Sequence, residues 1–316
     1  MPSPAPRIPP SAALRAALSL SKGRIPQYDS PVNLSVERKQ IRLGSRTLSY
    51  LQAGPRPSDR LAVFLHAFPL NAAMWEPQLR VMPEGWAAVA PDFRGFGGST
   101  PDGAGVAREH AGLEDYADDV AALMDAAGAR RAALCGCSMG GYAAFAVLRR
   151  FPGRVSGLLL AATRATADAE AARGSRAAML DLLDRGGPPA VAAEMRPKLV
   201  GATSRRERPD VIAAIDSLMD RATARGIGFA VARMLNRPDA TPDLAAFRDP
   251  VCVVVGEEDT LTPPAEAAAM AALVPAAALV TIPRAGHLSN LEAPDAFNAA
   301  MLSWLDGVAG VAAAMS

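Results

Sequence analysis

The chain has 316 residues, half of them hydrophobic, and its formal net charge is +1. That length is enough to bury a substantial core in one α/β domain with an insertion. The near-neutral charge gives no sign of a nucleic-acid partner or of an acidic tail. No run of 18 uncharged apolar residues indicates a membrane span, so we expect a cytoplasmic protein with no membrane partner.

Residues 1–34 are rich in proline and serine and show no core pattern. We predict that they form a disordered N-terminal extension. The apolar stretch at 11–18 is not followed by a clear cleavage site, which disfavours a signal peptide. The three cysteines, Cys135, Cys137 and Cys252, lie on or beside predicted buried strands. They are interpreted as apolar packing residues, because nothing around them resembles a disulfide framework or a metal cluster.

Short apolar segments predict eight β-strands, and helical patterns separate most of them. The predicted strands cover residues 37–43, 48–53, 61–65, 87–90, 132–135, 155–160, 251–255 and 278–282. The first two form a hairpin, and helices are predicted over 113–128 and 139–151. Alternation of strands and helices predicts a mostly parallel sheet with right-handed crossovers.

The interval between the sixth and seventh predicted strands is too long for a simple connection. It carries helical patterns at 165–173, 175–184, 188–199, 209–225 and 227–235. Residues 164–247 are therefore predicted as a helical insertion into a core formed by 35–163 and 248–310. Helices inserted at this point would lie over the carboxyl edge of the sheet, where binding clefts commonly form.

The pentapeptide at 136–140, GCSMG, fits the pattern G-x-S-x-G. A buried strand precedes it and a helix follows it, which is the context of a nucleophile on a strained strand-to-helix turn. The flanking glycines allow close backbone approach, and the helix N-terminus offers free N–H groups to an oxyanion. Ser138 is therefore the candidate nucleophile.

A serine nucleophile needs a base, and the base needs an orienting acid. His287 follows the last predicted strand, and Asp259 follows the strongest strand pattern, so the chain order is Ser138, Asp259, His287. Glu258 remains the alternative acid. Of the other two histidines, we expect His66 to hydrogen-bond its own loop and His110 to lie at the surface.

The second oxyanion donor is expected from the loop after the strand at 61–65. We assign the donors to the backbone N–H groups of Phe68 and Met139. The residue after His66 is Ala67, where glycine is usual. We therefore expect a backbone without positive φ at Ala67.

Four segments together resemble the α/β-hydrolase family, in its esterase and enol-lactonase group. They are HAFP at 66–69, DFRGFGGS at 92–99, GCSMGG at 136–141 and GHLSNLEAP at 286–294, the last similar to the histidine loop of 3-oxoadipate enol-lactonases. The resemblance implies an α/β-hydrolase fold: an eight-stranded, mostly parallel sheet, helices on both faces, and a helical cap at 164–247. It also implies that Arg94 pairs with nearby carboxylates and that Asn290 and Glu292 support the histidine loop.

These features predict a serine esterase that cleaves small to medium carboxylic esters through an acyl-enzyme, without metal or cofactor. The alternative is a 3-oxoadipate enol-lactonase-type lactone hydrolase. A non-catalytic receptor, an acyltransferase and a perhydrolase are less favoured. The partner is a small-molecule ester or lactone, and the oligomeric state is open. Candidate substrate contacts are Arg164, Phe229, Met234, Leu261 and Leu288. Arg164 could bind a carboxylate or anchor the cap through a salt bridge.

Overall fold

The computed structural model describes residues 33–55 and 58–314, in which eight strands form one sheet. They are β1 (Glu37–Leu43), β2 (Arg46–Ala53), β3 (Arg60–Leu65), β4 (Trp86–Pro91), β5 (Ala132–Cys137), β6 (Val155–Ala161), β7 (Val251–Gly256) and β8 (Ala278–Ile282). Each predicted strand is present, with ends displaced by at most two residues. The predicted N-terminal extension lies outside the described residues except for Asn33 and Leu34.

The sheet is mixed, with its antiparallel strands at one end. The strand order is β1-β2-β4-β3-β5-β6-β7-β8. Strand β2 pairs antiparallel with β1 and with β4, and the remaining neighbours are parallel. This confirms the predicted mostly parallel eight-stranded sheet.

The strand side chains alternate between two apolar cores, one on each face of the sheet. In β3, Val63 and Leu65 enter one core and Phe64 enters the other, and in β7 Val253 and Val254 divide in the same way. This is the period of two that a strand imposes. Because both faces are covered, the central strands are continuous apolar runs without polar alternation.

Eleven α-helices surround the sheet within the described residues. They are α1 (Glu76–Leu79), α2 (Glu114–Ala126), α3 (Met139–Arg150), α4 (Glu170–Leu199), α5 (Ala202–Glu207), α6 (Pro209–Met219), α7 (Ala224–Leu235), α8 (Thr241–Ala246), α9 (Pro264–Ala272), α10 (Ser289–Glu292) and α11 (Pro294–Ala314). Among them, α11 alone is long and apolar enough to cross a membrane, by length and composition only. Because Phe297, Met301 and Leu305 of α11 are fully buried against the sheet, core packing accounts for its composition.

Helices α4 to α8 form the insertion between β6 and β7, and their ends differ from the predicted ones. The predicted helix at 165–173 begins only at Glu170, and the one predicted at 209–225 ends at Met219. The two patterns at 175–184 and 188–199 belong to α4, which is kinked where Gly187 adopts φ 65°. A helical residue cannot have positive φ, so the GGPP segment there breaks the helix axis.

The topology places one crevice at the carboxyl edge of the sheet. Strands β3 and β5 are neighbours, but the chain leaves β3 toward β4 on one side and β5 toward β6 on the other. In an open α/β sheet, ligands bind outside the carboxyl ends of strands at such a reversal of strand order. The loops that follow β3 and β5 begin with His66 and Ser138 respectively.

A buried arginine fastens the insertion to the core. Arg233 of α7 is fully buried and pairs through two nitrogens with Asp102, at 2.8 and 3.0 Å, and with Asp115 of α2, at 2.6 Å. Its guanidinium also lies 4.6 Å from the centre of the Tyr116 ring. The surrounding acids hold the pKa of Arg233 above its usual range although burial opposes this. A buried charge of this kind is tolerated because every partner is present.

Replacing Arg233 with Met should destabilise the fold strongly, because Asp102 would keep a buried charge with fewer partners. Loss of one member of a buried pair costs about 3–5 kcal/mol of unfolding free energy. Urea unfolding followed by circular dichroism would measure the loss. Arg206→Met is the control, since Arg206 forms an exposed pair with Glu207 and its loss should be negligible. Equal stability of the two variants would contradict the fastening role of Arg233.

Candidate active site

Ser138 lies on the sharp turn between β5 and α3. Its backbone has φ 52° and ψ −114°, outside the regions that non-glycine residues favour. A Cβ at Gly136 would overlap the backbone of Gly140, and a Cβ at Gly140 would overlap the carbonyl of Leu65. Neither position therefore has room for a side chain, as the sequence pattern predicted. The turn lifts the Ser138 side chain out of the sheet into the crevice.

His287 and Asp259 come from the loops after β8 and β7, and they meet in a hydrogen bond. The His287 Nδ1 and Asp259 Oδ2 atoms are 2.9 Å apart, and both side chains are almost completely buried. The other carboxylate oxygen of Asp259 accepts from the N–H groups of Leu261 and Thr262, each at 2.9 Å. The carboxylate therefore holds the ring while its own loop holds the carboxylate. Glu258, the alternative acid, instead accepts hydrogen bonds from the N–H and hydroxyl groups of Thr203.

The oxyanion donors predicted at Phe68 and Met139 lie at the ends of β3 and β5. No described residue accepts a hydrogen bond from either N–H group. His66 fixes the first of these peptides, because its Nδ1 donates to the carbonyl of Ala67, at 3.0 Å, and its Nε2 accepts from the N–H of Phe93 at 2.9 Å. The Ala67–Phe68 peptide is therefore oriented through its carbonyl oxygen. Ala67 does not have positive φ, in agreement with its departure from glycine.

Ser138 and His287 open into a cavity of about 620 Å³ between the sheet edge and the insertion. No hydrogen bond joins the Ser138 hydroxyl to His287 in the described part of the chain. In unliganded sites such a bond is often long and tightens when substrate binds. Side chains from both parts of the chain line the cavity, among them Phe68, Tyr142, Arg164, Met195, Met234, Leu261 and Thr262.

Two of the predicted substrate contacts lie elsewhere. Phe229 is buried against Ala111 and Ala232, on the side of α7 opposite Val231 and Met234, which do line the cavity. Leu288 is fully buried in the core under the sheet edge. Both predictions were wrong because apolar character alone does not say which core a side chain enters.

Arg164 lines the cavity, but the salt bridge that was one of its two expected roles is not formed among the described residues. Its guanidinium donates to the carbonyl of Leu261 at 2.7 Å, and it forms no ion pair with any carboxylate in 33–55 or 58–314. Its Nε is buried without a hydrogen-bond partner there. Arg164 therefore presents an uncompensated positive charge beside the Asp259 loop.

The cavity wall also contains a polar cluster that was not predicted from the sequence. Asp168 pairs with Arg176 and with Arg237, the latter at 2.6 Å. The Arg237 guanidinium lies 4.1 Å from the centre of the Tyr142 ring, which faces the cavity one helical turn after Ser138. The i+4 spacing of Tyr142 from Ser138 was the one signal available, since residues four apart share a helix face.

The segment at 92–99 forms a turn in which Arg94 pairs with nearby carboxylates, as the family resemblance implied. The Asp92 carboxylate accepts from the N–H groups of Ala72 and Gly98, and Arg94 pairs with Asp119 at 2.7 Å. Within the residues described, no group of three or more histidine, cysteine or acidic side chains is arranged to hold a metal ion.

A family model described as the alpha/beta hydrolase fold matches residues 62–294. The chain belongs to this family. It is 26% identical over 246 residues to 3-oxoadipate enol-lactonase 2 of Acinetobacter baylyi. The matched residues make up 77% of this chain and 88% of the relative.

Solved structures agree with this assignment. A thermophilic esterase from Thermogutta terrifontis is 35% identical, with a TM-score of 0.78 over 86% of this chain and 99% of that one. An enol-lactonase from Burkholderia xenovorans is 25% identical, with a TM-score of 0.75 over 85% and 100% of the two chains. The chain is therefore an α/β-fold hydrolase, a class that acts on small-molecule substrates.

In this hydrolase, His66 should make stability depend on pH. Burial lowers its pKa to about 4, so the folded state keeps the ring neutral while the unfolded chain protonates near pH 6.5. The unfolded state then binds more protons between these values, and stability is lost as pH falls from about 6.5 toward 4. The integrated loss is at most about 3 kcal/mol.

The measurement is urea unfolding of wild type and His66→Gln at several pH values between 4 and 7. Gln cannot titrate, so the difference in unfolding free energy between the two proteins should shrink as pH falls. The comparison cancels contributions from other titrating groups. A difference that stays constant across this range would show that His66 does not remain neutral in the folded protein.

Proposed function

We propose that this hydrolase is a serine esterase that cleaves small to medium carboxylic esters through an acyl-enzyme. The supporting observation is the 2.9 Å hydrogen bond from His287 to Asp259, formed in the wall of the cavity that also exposes Ser138. A base already oriented by an acid, beside a serine on a strained turn, is the arrangement that activates a hydroxyl.

In the first half of the reaction, His287 takes the proton from the Ser138 hydroxyl as its oxygen attacks the ester carbonyl. Asp259 accepts the Nδ1 proton, which leaves Nε2 free to act as the base and stabilises the imidazolium that forms. The carbonyl oxygen becomes an oxyanion, held by the N–H groups of Phe68 and Met139. Collapse of this intermediate expels the alcohol, which takes the proton from His287.

In the second half, water replaces the alcohol. His287 removes a proton from the water, its oxygen attacks the acyl-enzyme, and the same N–H groups hold the second oxyanion. The Ser138 oxygen leaves with the proton from His287, and the carboxylic acid is released. A non-catalytic receptor of the same fold would bind the ester without these steps, whereas an acyltransferase or perhydrolase would give the acyl group to another nucleophile in place of water.

A second candidate is a hydrolase of enol-lactones or esters that carry their own carboxylate. The cavity wall contains four cationic side chains, Arg164, Arg176, Arg185 and Lys198, against two acids, Asp168 and Glu194. The acids pair with Arg176 and Lys198. Arg164 and Arg185 have no carboxylate partner among the residues that the structure describes, and an anionic substrate would supply one. The enol-lactonase relatives and the malate-bound state of the Thermogutta esterase agree with this candidate.

Ser138→Ala should abolish hydrolysis of p-nitrophenyl acetate, because no other hydroxyl occupies the turn. A loss on the order of 10⁴ in kcat is expected when a triad serine is removed. Ser175→Ala, in the part of the cavity wall that α4 contributes, is the matched control and should keep wild-type kcat. A serine-directed phosphonate should label Ser138 and none of the three cysteines. A Ser138→Ala variant that kept a tenth of wild-type kcat would rule out this nucleophile.

The cavity volume predicts a preference for short acyl chains. Cavities of about 300–1,000 Å³ enclose small ligands, so esters with about two to six acyl carbons should give the highest kcat/KM. A series of p-nitrophenyl esters, together with one carboxylated enol-lactone, tests both candidates. A preference for emulsified long-chain esters would contradict a substrate preference set by this cavity volume. An advantage of the lactone above about a hundredfold would favour the second candidate, and Arg164→Gln should then raise KM for the lactone but not for neutral esters.

A further inference from the structure

The cavity wall contains a tyrosine hydroxyl without a partner in the protein. Tyr142 of α3 is only 7% exposed, yet it lines the cavity. Its hydroxyl forms no hydrogen bond with any residue in 33–55 or 58–314, and it is not enclosed as the unbonded hydroxyl of Tyr116 is. The small exposed part of Tyr142 therefore includes its hydroxyl, which faces the cavity.

The side chain of Tyr142 extends back toward the turn that carries Ser138. The Tyr142 N–H donates to the carbonyl of Ser138 at 3.3 Å, across the first turn of α3. Side chains on a helix tilt toward its N-terminus, so a residue covers the surface over the turn that precedes it. A substrate whose carbonyl lies at Ser138 therefore has its neighbouring atoms in the part of the cavity that Tyr142 lines.

A buried ion pair holds the ring of Tyr142. The Arg237 guanidinium lies 4.1 Å from the ring centre and pairs with Asp168 at 2.6 Å, and both charged side chains are 2% exposed. Asp168 also accepts a hydrogen bond from Arg176. A cation over the face of an aromatic ring is attracted to it, so the ion pair fixes the plane of the ring. A side chain already fixed loses little rotamer entropy when it binds a ligand.

The chemistry of the hydroxyl indicates what it would bind. A phenol is an uncharged donor of one hydrogen bond, and leaving it unpaired beside a bound substrate costs free energy. A carboxylate on the substrate would be attracted to the cavity cations Arg164 and Arg185 instead. An ether or keto oxygen, which accepts a hydrogen bond and carries no charge, is the group that suits Tyr142.

We propose that Tyr142 is a specificity-determining residue whose hydroxyl donates a hydrogen bond to an uncharged substrate oxygen outside the ester group. The substrates that this donor favours are esters with an ether or keto oxygen a few atoms from the ester carbonyl, in the acyl part or in the alcohol part. The proposal rests on the proposed esterase function of Ser138.

Tyr142→Phe removes the hydroxyl and keeps the ring against Arg237. Two pairs of esters differ by exchange of a CH₂ group for oxygen: p-nitrophenyl methoxyacetate with p-nitrophenyl butyrate, and methoxyethyl acetate with butyl acetate. In at least one pair, kcat/KM for the ether relative to the alkyl ester should fall about 3- to 10-fold in Tyr142→Phe. The alkyl esters should keep wild-type kcat/KM. Thermal stability should not change, because the hydroxyl has no partner in the described chain.

Tyr116→Phe is the matched control. Tyr116 also lies against an arginine, Arg233, at 4.6 Å from the ring centre, but it is outside the cavity lining. This variant should leave both ratios at their wild-type values. Wild-type ratios for both pairs in Tyr142→Phe overturn the proposal. An equal loss of kcat/KM for all four esters also overturns it, because that result shows a general change in packing.

Ketones in which a CH₂ group replaces the ester oxygen separate this proposal from the esterase function, because they bind without being hydrolysed. NMR titration of the ketone counterparts should show the same loss of preference for the ether in Tyr142→Phe and none in Tyr116→Phe. This result does not depend on the nucleophile, which Ser138→Ala tests. If Tyr142→Phe does not fold, nuclear Overhauser effects between the methoxy protons and the Tyr142 ring protons in the wild type decide, and their absence overturns the proposal.

Discussion

The site depends first on the strained turn at Ser138. A non-glycine residue with positive φ costs roughly 1–2 kcal/mol and persists only where its surroundings fix it. Here both sides of the residue are held: its N–H donates to Ala161 O at 2.9 Å, and its carbonyl accepts from the Thr163 hydroxyl at 2.9 Å. Both partners come from the end of β6 and the residues after it. The turn is therefore fixed by the neighbouring strand, and it requires glycine wherever the backbones touch.

The close packing of backbone around the site also explains why so many polar groups near it are buried. Asp259, His287, His66 and Glu292 are each at most 5% exposed, and their hydrogen-bond partners are backbone groups, one another and, for Glu292, also the Ser204 side chain. A buried polar group with all its bonds made is rigid, because any movement leaves a donor or acceptor unpaired. Burial lowers the pKa of His66, and the neutral ring leaves its Nε2 free to accept a hydrogen bond from the N–H of Phe93.

The sequence predicted the sheet, and it singled out residues that the structure brings to one edge of that sheet, because strands and the turns after them are local patterns. Central strands such as β7 are apolar on both faces, and Ser138, Asp259 and His287 each lie in a loop or turn that follows a strand. The insertion was predicted less well. Helix α7 is buried almost all round, so it has no polar face to orient it, and Phe229 was assigned to the wrong side. The burial of the Arg233 charge and the ion pair of Asp168 with Arg237 depend on contacts between segments that are distant in the sequence. No spacing rule encodes those contacts.

The core and the insertion contribute different parts of the site, and this should affect substrate specificity. Ser138, Asp259, His287 and the two proposed N–H donors all come from loops after strands of the core, whereas much of the cavity wall comes from α4 and α7 of the insertion. Changes in Met179, Met195 or Met234 can alter the cavity shape without moving a reacting group. The segment at 199–204 is the exception, because Glu292 and Glu258 tie it to the loops that carry His287 and Asp259. Substitution there should change the rate of every substrate alike, and substitution along the rest of the wall should change one substrate relative to another.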